Sequence, residues 1–77
     1  MTDEEIIRLR HQIKQLPTGN FHFPEIYGPD WDTLYIGDKV KRGHAFMNAV
    51  RAGKFPGIID TGTKKGGGRV YQKIEKP

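Results

Sequence analysis

Residues 37–53, GDKVKRGHAFMNAVRAG, are the stretch on which the fold depends, because they read as one helix with a stop signal at each end. Asp38 follows a glycine and is predicted to be the N-cap, and Gly53 supplies the C-terminal stop. At about 100° per residue, one arc of this helix is apolar or small and is predicted to pack on the core. Its members are Val40, Gly43, Phe46, Met47 and Val50. Gly43 is expected to allow the close approach of another backbone.

The opposite face of the same helix mixes hydrogen-bonding groups with small side chains and has no carboxylate. It carries Lys41, His44, Ala45, Asn48, Arg51 and Ala52. In a winged-helix architecture a face of this composition would read base edges in the major groove of DNA, although lysines on an exposed helix face are usually just a solvated surface.

Before this stretch, the N-terminus has the signature of a second helix. Thr2 and Glu5 have the spacing of a capping box, and acidic residues follow Thr2 where a helix dipole favours them. An apolar stripe then recurs at three- and four-residue steps and is predicted to pack in the core. It consists of Ile6, Leu9, Ile13 and Leu16. Residues 17–19, PTG, end this helix.

Between the two helices, the sequence predicts short elements with aromatic anchors. Residues 21–23, FHF, place two rings on one side of an extended segment and predict a short strand. A short helix is expected over 24–27, and Asp30 can start a further turn after Gly28-Pro29. Trp31 lies in the acidic half of the chain, which would repel phosphate, so it is interpreted as a core anchor.

After Gly53 the pattern changes to two extended runs, 58–61 and 69–74, which are expected to pair as a hairpin. The connection 62–68, GTKKGGG, is basic and glycine-rich. Helices followed by a hairpin predict a single α+β domain over 1–77, of winged helix-turn-helix type, with 62–68 as the basic wing loop.

Charge divides the chain into two unlike halves. The net charge of the 77 residues is +4, but residues 1–37 carry −3 and residues 38–77 carry +7. A half of this sign predicts a polyanionic partner, and small basic domains without such a partner are also common. Mean hydropathy is −0.68, and no apolar run approaches the ~18 residues of a membrane span, so no membrane partner is expected.

The composition argues against catalysis and against cofactors. A domain of this size has little room for a water-excluding cavity. Cysteine is absent, and the three histidines fall in different segments, so neither a metal nor a cofactor is expected. Glu25, Asp30 and Asp32 near His22 are interpreted as turn caps rather than an acid–base pair. The acidic, polar N-terminus lacks the pattern of a secretory signal, which predicts a cytoplasmic protein.

A winged helix would use the basic half as its nucleic-acid contact, most readily with duplex DNA. Lys41 is expected to donate to guanine, Asn48 to pair with adenine and Ala45 to meet a thymine methyl group. The margins of the helix and the wing would contact phosphates. The predicted nucleic-acid-binding residues are Lys39, Lys41, Arg42, His44, Asn48, Arg51, Lys64, Lys65 and Arg69.

An ordered set of residues resembles a family of small uncharacterised proteins of phages, plasmids and bacterial genomes. The set consists of LPTG at 16–19, Phe21, W-x-x-L-x-x-G at 31–37, G-x-x-F-x-x-x-V at 43–50, and Tyr71. The resemblance implies a compact winged-helix-like domain associated with mobile elements, and it supplies no activity. Arg42 stands where an aliphatic residue is usual in that family.

Two functions follow as expectations. The first is a DNA-binding regulator or accessory factor of a phage or mobile element. The alternative is a protein-binding module, such as a phage inhibitor of a host protein, which keeps the fold and presents its surface to a protein. A lone winged helix contacts little surface, so strong sequence specificity would call for a homodimer or a partner.

Overall fold

The computed structural model describes residues 1–66 and 68–74, which form an α+β arrangement of three α-helices, a 3₁₀ segment and a three-stranded antiparallel sheet. In chain order the elements are α1 (Asp3–Lys14), β1 (Gly19–His22), α2 (Phe23–Tyr27), the 3₁₀ segment (Pro29–Thr33), α3 (Ile36–Arg51), β2 (Ile58–Lys64) and β3 (Arg69–Lys73).

The last strand is the middle strand of the sheet. β3 pairs with β1 on one side and with β2 on the other, both antiparallel. Phe21 of β1 and Asp60 of β2 both lie opposite Tyr71 of β3, so these three residues share one face of the sheet. The predicted hairpin is confirmed, and β1 adds an edge strand to it.

The predicted N-cap at Thr2 and the apolar stripe of α1 are confirmed, whereas the Glu5 carboxylate accepts from the Thr2 hydroxyl at 3.3 Å and the second half of the predicted capping box is not seen between these described residues. The Thr2 hydroxyl accepts a hydrogen bond from the Glu5 amide at 3.2 Å. Ile6, Leu9 and Ile13 are buried, and Leu16 packs against the core. At the other end of α1, the Lys73 ammonium group of β3 donates to the carbonyl oxygens of Ile13 at 2.7 Å and Leu16 at 2.6 Å. The final strand therefore satisfies the carbonyl end of the first helix.

The core is built around Phe46, which is fully buried. Its ring centroid lies 4.6 Å from that of Phe23, 4.7 Å from Tyr71 and 5.0 Å from Phe55. These rings come from α2, β3 and the segment after α3, so one side chain joins the helical and sheet parts of the fold. Ring pairs at such distances contribute about 0.5–1.5 kcal/mol each beyond the area they bury.

Helix α3 departs from the sequence prediction at its start. It begins at Ile36 with Tyr35 as the N-cap, and Asp38 lies in the first turn rather than at the cap. Val40, predicted to be in the core, is 53% exposed. The buried residues of α3 begin only at Phe46, so its first turns extend beyond the core. The space beside Gly43 is open rather than filled by another backbone, so that prediction is also wrong.

The aromatic segment also differs in detail. β1 ends at His22 and Phe23 begins α2, so the predicted strand over 21–23 is one residue too long at its C-terminal end. Both phenylalanines are buried nevertheless. Trp31 lies in the 3₁₀ segment, is partly buried, and meets the Phe23 and Tyr27 rings edge to face at 5.4 Å. It packs against the core as predicted, at its margin.

The hairpin contains a bulge that the sequence did not predict. The register shifts between Asp60 and Lys64, and β2 continues to Lys64, so the connection is shorter than the predicted 62–68 loop. Gly62 has a φ of +74°, a conformation that favours glycine, and its amide donates to the Asp60 carboxylate at 3.0 Å. Gly67 of the predicted loop lies outside the described residues.

Candidate nucleic-acid interface

Four of the predicted residues lie on the same exposed side of α3. Lys41, His44, Asn48 and Arg51 are all exposed. They follow one another at three- and four-residue steps, so neighbouring side chains lie on the same helix surface. The only acidic residue of α3 is Asp38 in its first turn.

A single carboxylate connects this helix to the hairpin. Asp60 of β2 accepts from Arg51 Nε at 3.2 Å and from Arg69 Nη1 at 2.9 Å. The Asp60 side chain is 8% exposed, while that of Arg51 is 58% exposed. The guanidinium groups of α3 and β3 are thus held side by side over one buried anion, and their outer sides remain accessible.

The ionisation of Asp60 follows from its partners. Burial by itself raises the pKa of the Asp60 carboxyl group, but the Gly62 amide and the Arg69 and Arg51 guanidiniums outweigh it and hold this pKa below its ordinary value. Burial, together with the nearby Asp60 charge, raises the pKa of Tyr71 to about 12. The carboxylate therefore stays charged and the phenol stays neutral at physiological pH.

The two lysines of the predicted wing lie next to the Arg69 side of the Asp60 bridge. Lys64 ends β2 and is the cross-strand partner of Arg69, so their side chains are neighbours on one face. Lys65 follows, and its amide donates to the Gly68 carbonyl at 2.9 Å. Both lysines are exposed.

Together these residues form a continuous surface that we call the basic strip. It consists of Lys41, His44, Asn48, Arg51, Arg69, Lys64 and Lys65. Among the described residues, Asp60 is the carboxylate that pairs with members of the strip, and it serves two arginines at once. The strip therefore keeps a net positive charge, which suits a row of phosphates.

The remaining predicted residues lie elsewhere on α3. Arg42 pairs with the Glu5 carboxylate at 3.4 Å and lies over the Tyr27 ring at 5.6 Å. Lys39 lies 6.0 Å from the centre of the Trp31 ring. These contacts turn both cations toward α1, α2 and the 3₁₀ segment, so the structure does not bring them into the basic strip.

Ala45, which was predicted to meet a thymine methyl group, is also misplaced. It is partly buried and lines a small cleft with Leu9, Phe23 and Tyr27. The exposed Lys41 also borders this cleft, so it lies at the margin of the basic strip. The small side chain of alanine suits both an exposed and a partly buried position of a helix. Which of the two Ala45 takes depends on how α1 and α2 sit beside α3, and the sequence of α3 alone does not specify this.

Two features of the site were not predicted. The role of Asp60 as a shared partner of two arginines was not predicted, although an aspartate two residues before a glycine is a signal for a side-chain turn. The exposed apolar group Tyr35, Ile36 and Val40 was missed because an apolar pattern by itself cannot reveal where a helix extends past its core.

The described residues also bear on whether the chain holds a metal site or a helix that could cross a membrane. Over 1–66 and 68–74, no group of three or more His, Asp or Glu side chains is placed to hold a metal ion. Across the same residues, every helix is too short or too polar to cross a membrane.

Comparison with known proteins gives one result. The family model described as "Domain of unknown function (DUF1413)" matches residues 8–73, which include every element from most of α1 to the end of β3. No curated protein and no solved structure matches the chain.

Proposed function

We propose that this chain, which belongs to the DUF1413 family of domains of unknown function, is a small winged-helix protein that binds double-stranded DNA through its basic strip and performs no catalysis. A regulator or accessory factor of a phage or mobile element is the role that such a domain would serve. The recognition helix is α3, and the wing is the β2–β3 hairpin.

The observation that carries the proposal is the bridge at Asp60. Through this carboxylate, Arg51 at the C-terminal end of α3 and Arg69 at the start of β3 are neighbours. A recognition helix and a wing must contact one duplex together, so the two elements have to present their cations on one side. The bridge supports the proposal because it brings one arginine of each element to the same carboxylate.

The order of elements supports the same interpretation. Helix, strand, short helix, long helix and hairpin follow one another, and β1 pairs with the second strand of the hairpin. This order is the one in which winged-helix domains are built. In such a domain the exposed side of α3 would enter the major groove, and Lys64 and Lys65 would reach phosphates or the minor groove.

The first experiment measures binding to duplex DNA as a function of salt. A labelled 24-base-pair duplex of mixed sequence is titrated with protein between 50 and 200 mM salt. Because each neutralised phosphate contributes about −0.9 to the slope of log K against log salt, Lys64→Ala with Lys65→Ala should flatten that slope by about 2.

The control variant is Lys14→Glu, which changes net charge by the same amount at an exposed position of α1. It should leave the slope unchanged, since Lys14 is not part of the basic strip. Absence of duplex binding by the wild-type protein at 50 mM salt would overturn the proposal, and so would equal slopes for the double lysine variant and the wild type.

The alternative function, a protein-binding module, has one observation in its favour. Tyr35 and Ile36 are 84% and 78% exposed, and exposed apolar side chains are enriched where proteins meet. A pull-down from host lysate with and without nuclease separates the two functions. Partners that persist after nuclease treatment favour the protein-binding module, and partners lost with it favour the nucleic-acid interface.

A further inference from the structure

The first two turns of α3 expose an apolar group that the fold does not use. Tyr35, the N-cap, and Ile36 and Val40 are 84%, 78% and 53% exposed, and none of them belongs to the core cluster. We call these three residues the apolar row. Apolar area left in water is unfavourable by about 25 cal/mol per Å², so a contact that covers it would be stabilised.

The apolar row is continuous with the basic strip. Ile36, Val40, His44 and Asn48 follow one another at four-residue steps and so form one line along α3. At a rise of 1.5 Å per residue this line is about 18 Å long. A ligand that lies along the polar half of the line therefore also meets the apolar half.

The electrostatics of the surface favour a polyanion over a second copy of the chain. Two copies paired through the apolar row would carry two basic strips of the same sign, and like charges oppose such a pair. A duplex with its phosphates along the strip has the opposite sign. The partner that covers the apolar row is then the floor of the DNA groove that α3 enters.

We propose that Ile36 and Val40 contact the C5-methyl groups of thymines, so that the preferred duplex carries thymines beside the base pairs read by His44 and Asn48. The thymine methyl is the apolar group that base edges present in the major groove. Ile36 and Val40 take the role that Ala45 cannot fill, since Ala45 is partly buried in a cleft lined by Leu9 and Phe23. This inference rests on the proposed function and adds a chemical preference to it.

The test compares duplexes that differ only in that methyl group. The probes are a 24-base-pair alternating A–T duplex and its A–U counterpart, in which deoxyuridine replaces thymidine, at 50 mM salt. Both duplexes have the same phosphates and the same base-pair hydrogen bonds. Covering one methyl group corresponds to about a fourfold gain in affinity, so the wild-type protein should bind the A–T duplex about four- to fifteenfold more tightly.

The variants assign the effect to the apolar row. Ile36→Ser with Val40→Ser removes the apolar contacts at exposed positions and should bind both duplexes within about twofold. Ile7→Ser is the matched control, because Ile7 is 64% exposed on α1 and lies outside both the row and the strip. This control should keep the wild-type preference for thymine.

A second pair of probes, alternating G–C duplexes with and without 5-methylcytosine, restores a methyl group in the same groove without thymine. The wild-type protein should bind the methylated duplex more tightly than the unmethylated one, and the double serine variant should bind both equally.

Equal wild-type affinity for the A–T and A–U duplexes would overturn the inference while leaving the proposed function intact. Failure to bind any duplex would overturn the proposed function itself. A thymine-independent protein that sediments as a dimer, and as a monomer after the double serine change, would assign the apolar row to self-association instead.

Discussion

The two sides of α3 are held to different requirements. The inner side, with Phe46, Ala49 and Val50, is buried and contacts three other parts of the chain. The outer side, with Val40, His44 and Asn48, is exposed, and from the same side Arg51 pairs with Asp60 of β2. The inner side therefore accounts for most of what α3 contributes to the stability of the fold, and the exposed side chains of the outer side are available to contact a ligand. Substitutions on the two sides should separate these properties.

The largest effect is expected on the inner side. Phe46→Ala removes a fully buried ring that contacts three other aromatic rings, and it should lower the free energy of unfolding by about 3–5 kcal/mol. For a domain of this size such a loss is a large fraction of the total stability. Urea denaturation followed by circular dichroism measures the change. His44→Ala on the outer side should change stability by less than about 0.5 kcal/mol, and a comparable loss there would refute the division between the sides.

A smaller effect, with opposite signs for stability and binding, is expected at the bridge. Asp60→Asn removes the charge that pairs with Arg51 and Arg69, and it should lower the free energy of unfolding by about 1–2 kcal/mol. The same change leaves both guanidiniums without an anionic partner at Asp60. Affinity for duplex DNA should therefore rise, and its salt dependence should become steeper by about 1 in the slope.

The bridge also predicts how stability depends on pH. Because the pKa of Asp60 is lower in the folded protein than in the unfolded chain, its contribution is complete above the unfolded pKa of about 3.9 and is lost as the pH falls below that value. Unfolding of the wild type and of Asp60→Asn measured from pH 6 to pH 2.5 tests this. The difference between the two proteins should shrink below pH 4, and a difference that stays constant would argue against the ionised bridge.

The smallest effect is a gain. Gly43 lies inside α3 with open space where a Cβ would be, so Gly43→Ala should raise the free energy of unfolding by about 0.5–1 kcal/mol through the higher helix propensity of alanine. Thermal denaturation measures the change as a higher Tm. Gly62→Ala is the contrasting control, because Gly62 has a positive φ and alanine should destabilise the bulge.

The sequence predicted those parts of the fold that local rules control. The Thr2 cap, the stripe from Ile6 to Leu16 and the stop at Gly53 follow from spacing within one segment, and the structure confirms them. The exposure of Val40 could not be predicted in this way. It depends on where α3 runs past α1 and α2, which is a property of the assembled fold.

The candidate site divides along the same line. The exposure of Lys41, His44 and Asn48 follows from the period of the helix. Arg42 lies outside the strip because it pairs with Glu5, and these two residues are far apart in the chain. The bridge from Arg51 to Asp60 requires the register of β2, which includes a bulge that no repeat in the sequence marks. The features of the site that could not be predicted thus depend on contacts between residues far apart in the chain.

The position of β3 in the middle of the sheet has a consequence for how the domain forms during translation. Both edge strands need β3 as their neighbour, and Lys73 completes the end of the first helix. While residues 69–73 are still inside the ribosome, β1 and β2 have no strand between them and α1 lacks its terminal partner. The nascent chain should therefore stay open and sensitive to proteases until this last strand emerges, and then close in one cooperative step.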